Sequence, residues 1–197
     1  MNAKNINGME RSWLPKYDEL FIELMSNNAE MMHDLSVVRS LELPYGYIAA
    51  GYVRNYVWDY LHGYQTRTPL NDIDVIYYNK DELDEKVEKK LEQQLRQTTG
   101  NPLWSVKNQA RMHIQNGDRP YLSIEDAISY WPETATAVAI TLEADNRITY
   151  VCPHGLDDMF ECRVMQSPLF KDQAYYQKRV RGKQWEARWP KLTFIGL

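Results

Sequence analysis

Two cysteines in 197 residues, Cys152 and Cys162, are too few for a disulfide framework, and neither stands at zinc-finger spacing from a second Cys or His pair. Reduced thiols in a cytoplasmic protein are the expectation. No apolar run approaches the roughly 20 residues that a membrane-spanning helix needs, and the polar start MNAKNINGME does not read as a secretory signal. No membrane association is expected. A basic balance is missing as well: the formal net charge is −4, which gives no general attraction to nucleic acid. Internal repeats, low-complexity runs and long linkers are also absent, so the chain is expected to form one domain over residues 1–197.

What is present is ordinary in proportion and uneven in placement. Apolar residues make up 44% and charged residues 25%, the balance of a folded protein and not a disordered one. Fourteen Tyr and six Trp point to a tightly packed small protein or, less simply, to a surface that stacks on bases. The segment from Lys171 to Lys191 carries seven Lys or Arg against two acids, a net +5 that leaves −9 for the rest. This basic helical segment, at about 168–190, is expected to be a solvated or packed face. The alternative is a grip on RNA, with nucleic acid as a partner that the overall charge does not support.

Periodicity supplies the elements. Helical stripes run from about Lys16 to Ser26 and through Met31, Leu35 and Val38, with Asn28 as a cap. A short strand from Tyr47 to Ala50 turns through Gly51 into a helix that ends at His62-Gly63. A second strand carries Asp72 and Asp74, and Asn79 or Asp81 is expected to cap the charged helix that follows. A strand over 103–109, a Ser123-capped helix, a hairpin of 137–142 with 148–151, and a last strand from Met159 to Met165 complete the series before the basic segment. This order implies an α+β fold, a mixed β-sheet with helices packed mainly on one side.

Asp72 and Asp74 carry the chemistry. Alternate strand residues share a face, which puts the two carboxylates about 6.6 Å apart along the chain. They repel unless a cation stands between them, so the pair suggests a divalent metal. Gly51, at the start of a helix after Ala50, allows backbone amides to approach a phosphate closely. Arg54 serves either as a phosphate partner or in a structural ion pair with Asp72 or Asp59.

Ala50-Gly51-Tyr52-Val53-Arg54-Asn55, followed some twenty residues later by Asn71-Asp72-Ile73-Asp74-Val75, resembles the signature of the polymerase-beta nucleotidyltransferase superfamily. It is similar to the head domain of class II tRNA CCA-adding enzymes, whose pattern is Gly-Gly-x-Val-Arg-Asp and later Asp-Ile-Asp. The longer strings GYVRNYVWDYLHG, NDIDVIYYN, WSVKNQARMH, EDAISYWPETATAVA and HGLDDMF resemble a bacterial family of uncharacterised nucleotidyltransferase-like proteins. The resemblance spans about Leu20 to Gln166. It implies the nucleotidyltransferase fold and transfer of a nucleoside monophosphate from an NTP to an acceptor, with release of pyrophosphate. Asp72 and Asp74 would then be catalytic ligands of Mg²⁺, with Ala50, Gly51, Arg54, Asn108 and Arg111 as nucleotide-binding candidates.

The chain departs from the pattern in places. Ala50 replaces the first Gly, Asn55 replaces an acid, and a third catalytic carboxylate has no assigned position, the nearest candidates being Glu143, Asp157 and Asp158. Asn55 and the unassigned carboxylate motivate an alternative, a catalytically inactive nucleotide-binding or protein-interaction module with the same fold. The acceptor is not encoded in the metal motif, because acceptor choice lies in pocket shape.

Overall fold

The computed structural model describes residues 16–197; the stretch MNAKNINGME lies outside them. Two helices open the described chain, α1 (Asp18–Ser26) and α2 (Ala29–Arg39). Asn28 caps α2 as expected, its Oδ1 accepting the Met31 amide at 2.9 Å. Strand β1 (Tyr47–Ala49) then leads through Ala50 into α3 (Gly51–His62), which ends on Gly63 at φ 72°.

Strand β2 (Ile73–Tyr77) and helix α4 (Glu85–Thr99) follow. The cap of α4 is Asp84, not Asn79 or Asp81, which take part in the turn ahead of it. Next come β3 (Trp104–Asn108), α5 (Gln109–Asn116) and α6 (Ile124–Ser129). Ser123 caps α6 through the Asp126 amide. The expected hairpin is β4 (Ala139–Leu142) with β5 (Ile148–Val151).

The expected strand over 159–165 is mostly something else. Residues Asp157–Phe160 form a helical turn, α7, and only Arg163–Val164 form a strand, β6. Met159 and Phe160 are buried under α3, so their apolar character reflects packing and not strand pairing. The basic segment is also divided. Helix α8 (Gln173–Lys183) stops at Gln184, whose φ of 50° turns the chain into α9 (Trp185–Arg188). The turn delivers Trp185 and Trp189 edge-on to Trp58, with ring centroids 5.5 and 5.1 Å away. A final strand, β7 (Thr193–Phe194), pairs in parallel with β6.

The main sheet is mixed, in the order β3-β2-β1-β4-β5, with only the β2–β3 pair parallel. Strand alternation gives it two unlike faces. Ile48, Ile73, Val75, Tyr77, Trp104, Val106 and Ile140 point into the main core, shared with residues of α1, α2, α3, α4 and α7. On the reverse face Ala49, Ile76 and Ala139 meet Ile124 and Ile128 of α6 in a smaller cluster. Helices thus pack mainly on one side, as the element order implies, and the reverse face is left partly open around Asp74.

Edge strand β3 does not leave its outward amides unmet. Val106 N–H donates to Glu92 and Asn108 N–H to Glu88, both at 3.1 Å, from glutamates one turn apart on α4. Lys107 stands 3.6 Å from each carboxylate, and Arg111 makes two hydrogen bonds to Glu88 at 3.0 and 2.8 Å.

Candidate functional site

At the open face the chain brings together one strand end, one helix start and one later helix. Asp74 sits in β2 on the face opposite the core-directed Ile73 and Val75, while Asp72 lies just before the strand and is exposed. A cleft of about 630 Å³ spreads from Asp74 and Ala50 past Lys107, Thr136 and Arg179 to a wall that includes Tyr130, Trp131, Phe170 and Tyr175. A smaller, more polar recess adjoins Asp72, lined also by Gly51, Arg54, Asn55, Lys183 and Arg188. The two carboxylates therefore mark the seam between an aromatic cleft and a cationic recess.

Their electrostatics follow from that position. Burial pushes the Asp74 carboxyl up to about 6, and the neighbouring charge of Asp72 pushes the same way. Arg54, Lys183 and Arg179 pull against this without cancelling it. A divalent cation would relieve both causes at once. Among the described residues no group of three or more His, Cys, Asp or Glu is arranged to hold a metal. The residues beside Asp74 in the sheet are Ala49 on β1 and Ser105 on β3, so neither strand adds a carboxylate at that level. A two-carboxylate set fits a hard divalent cation of the kind that takes its remaining ligands from phosphate oxygens and water.

Ala50 and Gly51 are where the backbone comes closest. Ala50 has φ 56° and ψ −124°, a conformation that glycine enters freely and alanine does not. It provides no side-chain cap for α3, and a helix start leaves its first amides without partners in the helix. A Cβ added to Gly51 would meet only Arg54 Nη2 at 3.5 Å and Asn55 Nδ2 at 3.9 Å, ordinary contacts. The fold itself can therefore hold a larger residue there, and the open space lies in the recess.

Arg54 is placed beside the site as a buried strut. Its Nη1 donates to Thr136 Oγ1 at 2.5 Å, and Nε and Nη2 donate to Asn55 Oδ1 at 3.2 and 2.8 Å. The guanidinium lies over the Trp58 and Trp185 rings at 4.8 and 4.4 Å. Burial lowers its pKa to about 10, which still leaves it charged at neutral pH. Neither expected ion pair forms: Asp59 is taken by Trp189 Nε1 and by the Thr68 amide, both at 2.8 Å.

Asn108 and Arg111 are not brought into this cleft. The Asn108 amide is spent on backbone, donating to the carbonyls of Asn79 and Glu82 and accepting from the amides of Asn79 and Ala110. Arg111 is turned to Glu88. Their neighbours Lys107 and Gln109 line the cleft instead. The three candidates for a third carboxylate are also elsewhere: Glu143 bonds Thr149 in the β4–β5 hairpin, Asp157 is exposed at the start of α7, and Asp158 bonds Arg163.

Two cations of α8 join the site, although the sequence places them only in a basic segment read as a packed face or an RNA grip. Arg179 reaches the cleft and pairs with the fully buried Glu133 at 2.6 Å, and Lys183 lines the recess. The signal that marks them is their spacing. Tyr176 and Val180 form the buried stripe of α8, and Arg179 and Lys183 each follow by three residues, at the rim of that stripe.

Comparison with known proteins gives the family and the fold. A nucleotidyltransferase family profile matches residues 36–194, most of the chain. A solved NMR structure, described as revealing a CCA-adding enzyme head domain, superposes with a TM-score of 0.79 at 31% identity, over 89% of this chain and 94% of that one. A CCA-adding enzyme in complex with ATP shares the fold at 14% identity and a TM-score of 0.52, over 88% of this chain but only 42% of its own. No match was found among curated proteins. With a profile spanning both the Gly51 helix start and the Asp72–Asp74 strand, the chain belongs to the nucleotidyltransferase family.

Proposed function

We propose that the protein is a Mg²⁺-dependent nucleotidyltransferase of the bacterial cytoplasm that moves a nucleoside monophosphate from an NTP to an acceptor. The observation that carries this reading is the seam itself. Asp72 and Asp74 stand where a recess containing a helix start and cations meets a cleft roomy enough for a nucleoside. The free thiols of Cys152 and Cys162 suit a reducing compartment.

Bound Mg²⁺ would neutralise triphosphate charge and lower the pKa of an attacking hydroxyl. Asp72 and Asp74 would hold it, and Gly51 gives the phosphates room beside the first amides of α3. Arg54 holds Asn55 and Thr136 in place and adds a fixed positive charge behind the two acids. In the transfer, the acceptor oxygen bonds to the α-phosphorus and the bond from that phosphorus to the bridging β-oxygen breaks. The bonding electrons leave with pyrophosphate, and the acceptor proton passes to solvent. Lys107, Arg179 and the aromatic wall would shape the space for the nucleoside and acceptor.

Titration with each common NTP in the presence of Mg²⁺ should show binding to the wild type and its loss in the Asp72→Ala, Asp74→Ala double variant. Wild-type binding no better than that of the double variant would sink the reading. A second reading, a module that binds nucleotide without transfer, is favoured by Asn55 and by the side chains of Ala49 and Ser105 next to Asp74. It predicts NTP binding with no pyrophosphate released over a broad panel of acceptors.

A further inference from the structure

The cations around the seam are not equivalent. Arg54 is enclosed between two indoles and committed to Asn55 and Thr136. Arg179 is held by Glu133, whereas Lys183 forms no salt bridge among the described residues. Lys183 shares the recess with Gly51 and Asp72, and of the two cations that α8 and α9 bring there it is half-buried where Arg188 is exposed. That recess is far smaller than the aromatic cleft and carries a greater proportion of polar surface, so it suits compact anionic groups and not a nucleoside.

In-line displacement places the leaving group opposite the attacking atom. With nucleoside and acceptor in the cleft, the departing phosphates fall on the recess side of the two acids. We propose that Lys183 grips the β- and γ-phosphates of the bound NTP and the pyrophosphate they become, so that the basic C-terminal helix serves as the anion grip of the site. This rests on the NTP reading above. Glu133 acts as a positioning residue for the grip: its ion pair with Arg179, one turn before Lys183, ties α8 to the loop that leads into Thr136.

Calorimetric titration of the full chain with Mg²⁺ and three probes tests the assignment: each common NTP, inorganic pyrophosphate, and the matching nucleoside monophosphate. Lys183→Met should weaken NTP and pyrophosphate binding by about tenfold to a hundredfold, the loss of a charge-assisted contact. Monophosphate binding should be unchanged, and Lys183→Arg should restore most of the affinity. A Lys183→Met protein that binds NTP as the wild type does, or that loses all three probes equally, overturns this inference and leaves the function standing. A wild-type protein that binds neither NTP nor pyrophosphate overturns the function and this inference together.

Discussion

At the scale of single residues, the site holds two departures from comfort, and each has a measurable sign. Folding raises the Asp74 pKa from 3.8 to about 6, so between those values the folded protein holds a proton that the unfolded chain has released. The resulting contribution to stability is complete below the lower value and is lost as the pH rises through the upper one. In metal-free protein, Asp74→Asn should therefore be more stable than the wild type at pH 7, by up to about 3 kcal/mol, with the difference shrinking towards pH 4. Urea titrations at the two pH values decide it, and a variant less stable than wild type at pH 7 would count against the burial argument. Ala50 is the second case. Relief of its positive φ is worth about 1–3 kcal/mol, while the extra freedom glycine adds to the unfolded chain costs about 0.4–1 kcal/mol. Ala50→Gly should come out stabilising by roughly 1 kcal/mol, seen as a raised melting temperature; a lowered one would show the strain to be absent.

At the scale of elements, the most consequential contact is the one between α4 and the edge of the sheet. Glu88 is wholly buried, accepts the Asn108 amide and holds Arg111 through two bonds. Glu88→Ala strips a backbone amide and a guanidinium of their partner together and should cost about 3 kcal/mol or more in denaturant unfolding. Glu85 lies 3.9 Å from the same arginine but is more than half exposed, and Glu85→Ala should cost under about 1 kcal/mol. Equal effects would mean that Glu88 is not the group that closes the edge. This contact also explains how Asn108 and Arg111 read as site residues in the sequence. A strand ending in polar and basic residues looks like a phosphate pocket until the acidic helix that consumes them is seen to pack alongside.

At the scale of the whole molecule, what was legible in the sequence divides along range of contact. The Gly51 turn, the alternation of Asp74 with Ile73 and Val75, and the Ser123 and Asn28 caps depend on neighbours a few residues away, and they fold as their spacing dictates; Asp72, expected in the same strand, lies just before it. Arg179 and Lys183 reach the same site from more than a hundred positions further along, and the local spacing that sets them at the rim of the α8 stripe does not say which site they meet. Their place is fixed by the break at Gln184, the three-indole packing on Trp58 and the parallel pairing of β6 with β7. The last expected strand failed for the same reason: Met159 and Phe160 are apolar because α3 covers them, and a short apolar run does not say which element will do the covering.

That separation has a consequence for the protein as it is made. A ribosome adding about 5–20 residues per second exposes Asp72 and Asp74 several seconds before α8 exists. During that interval the nascent chain carries its paired acids without Arg179 or Lys183 beside them, and Arg54 without Trp185 to lie against. A growing polypeptide therefore holds an incomplete site until α8 and α9 have emerged.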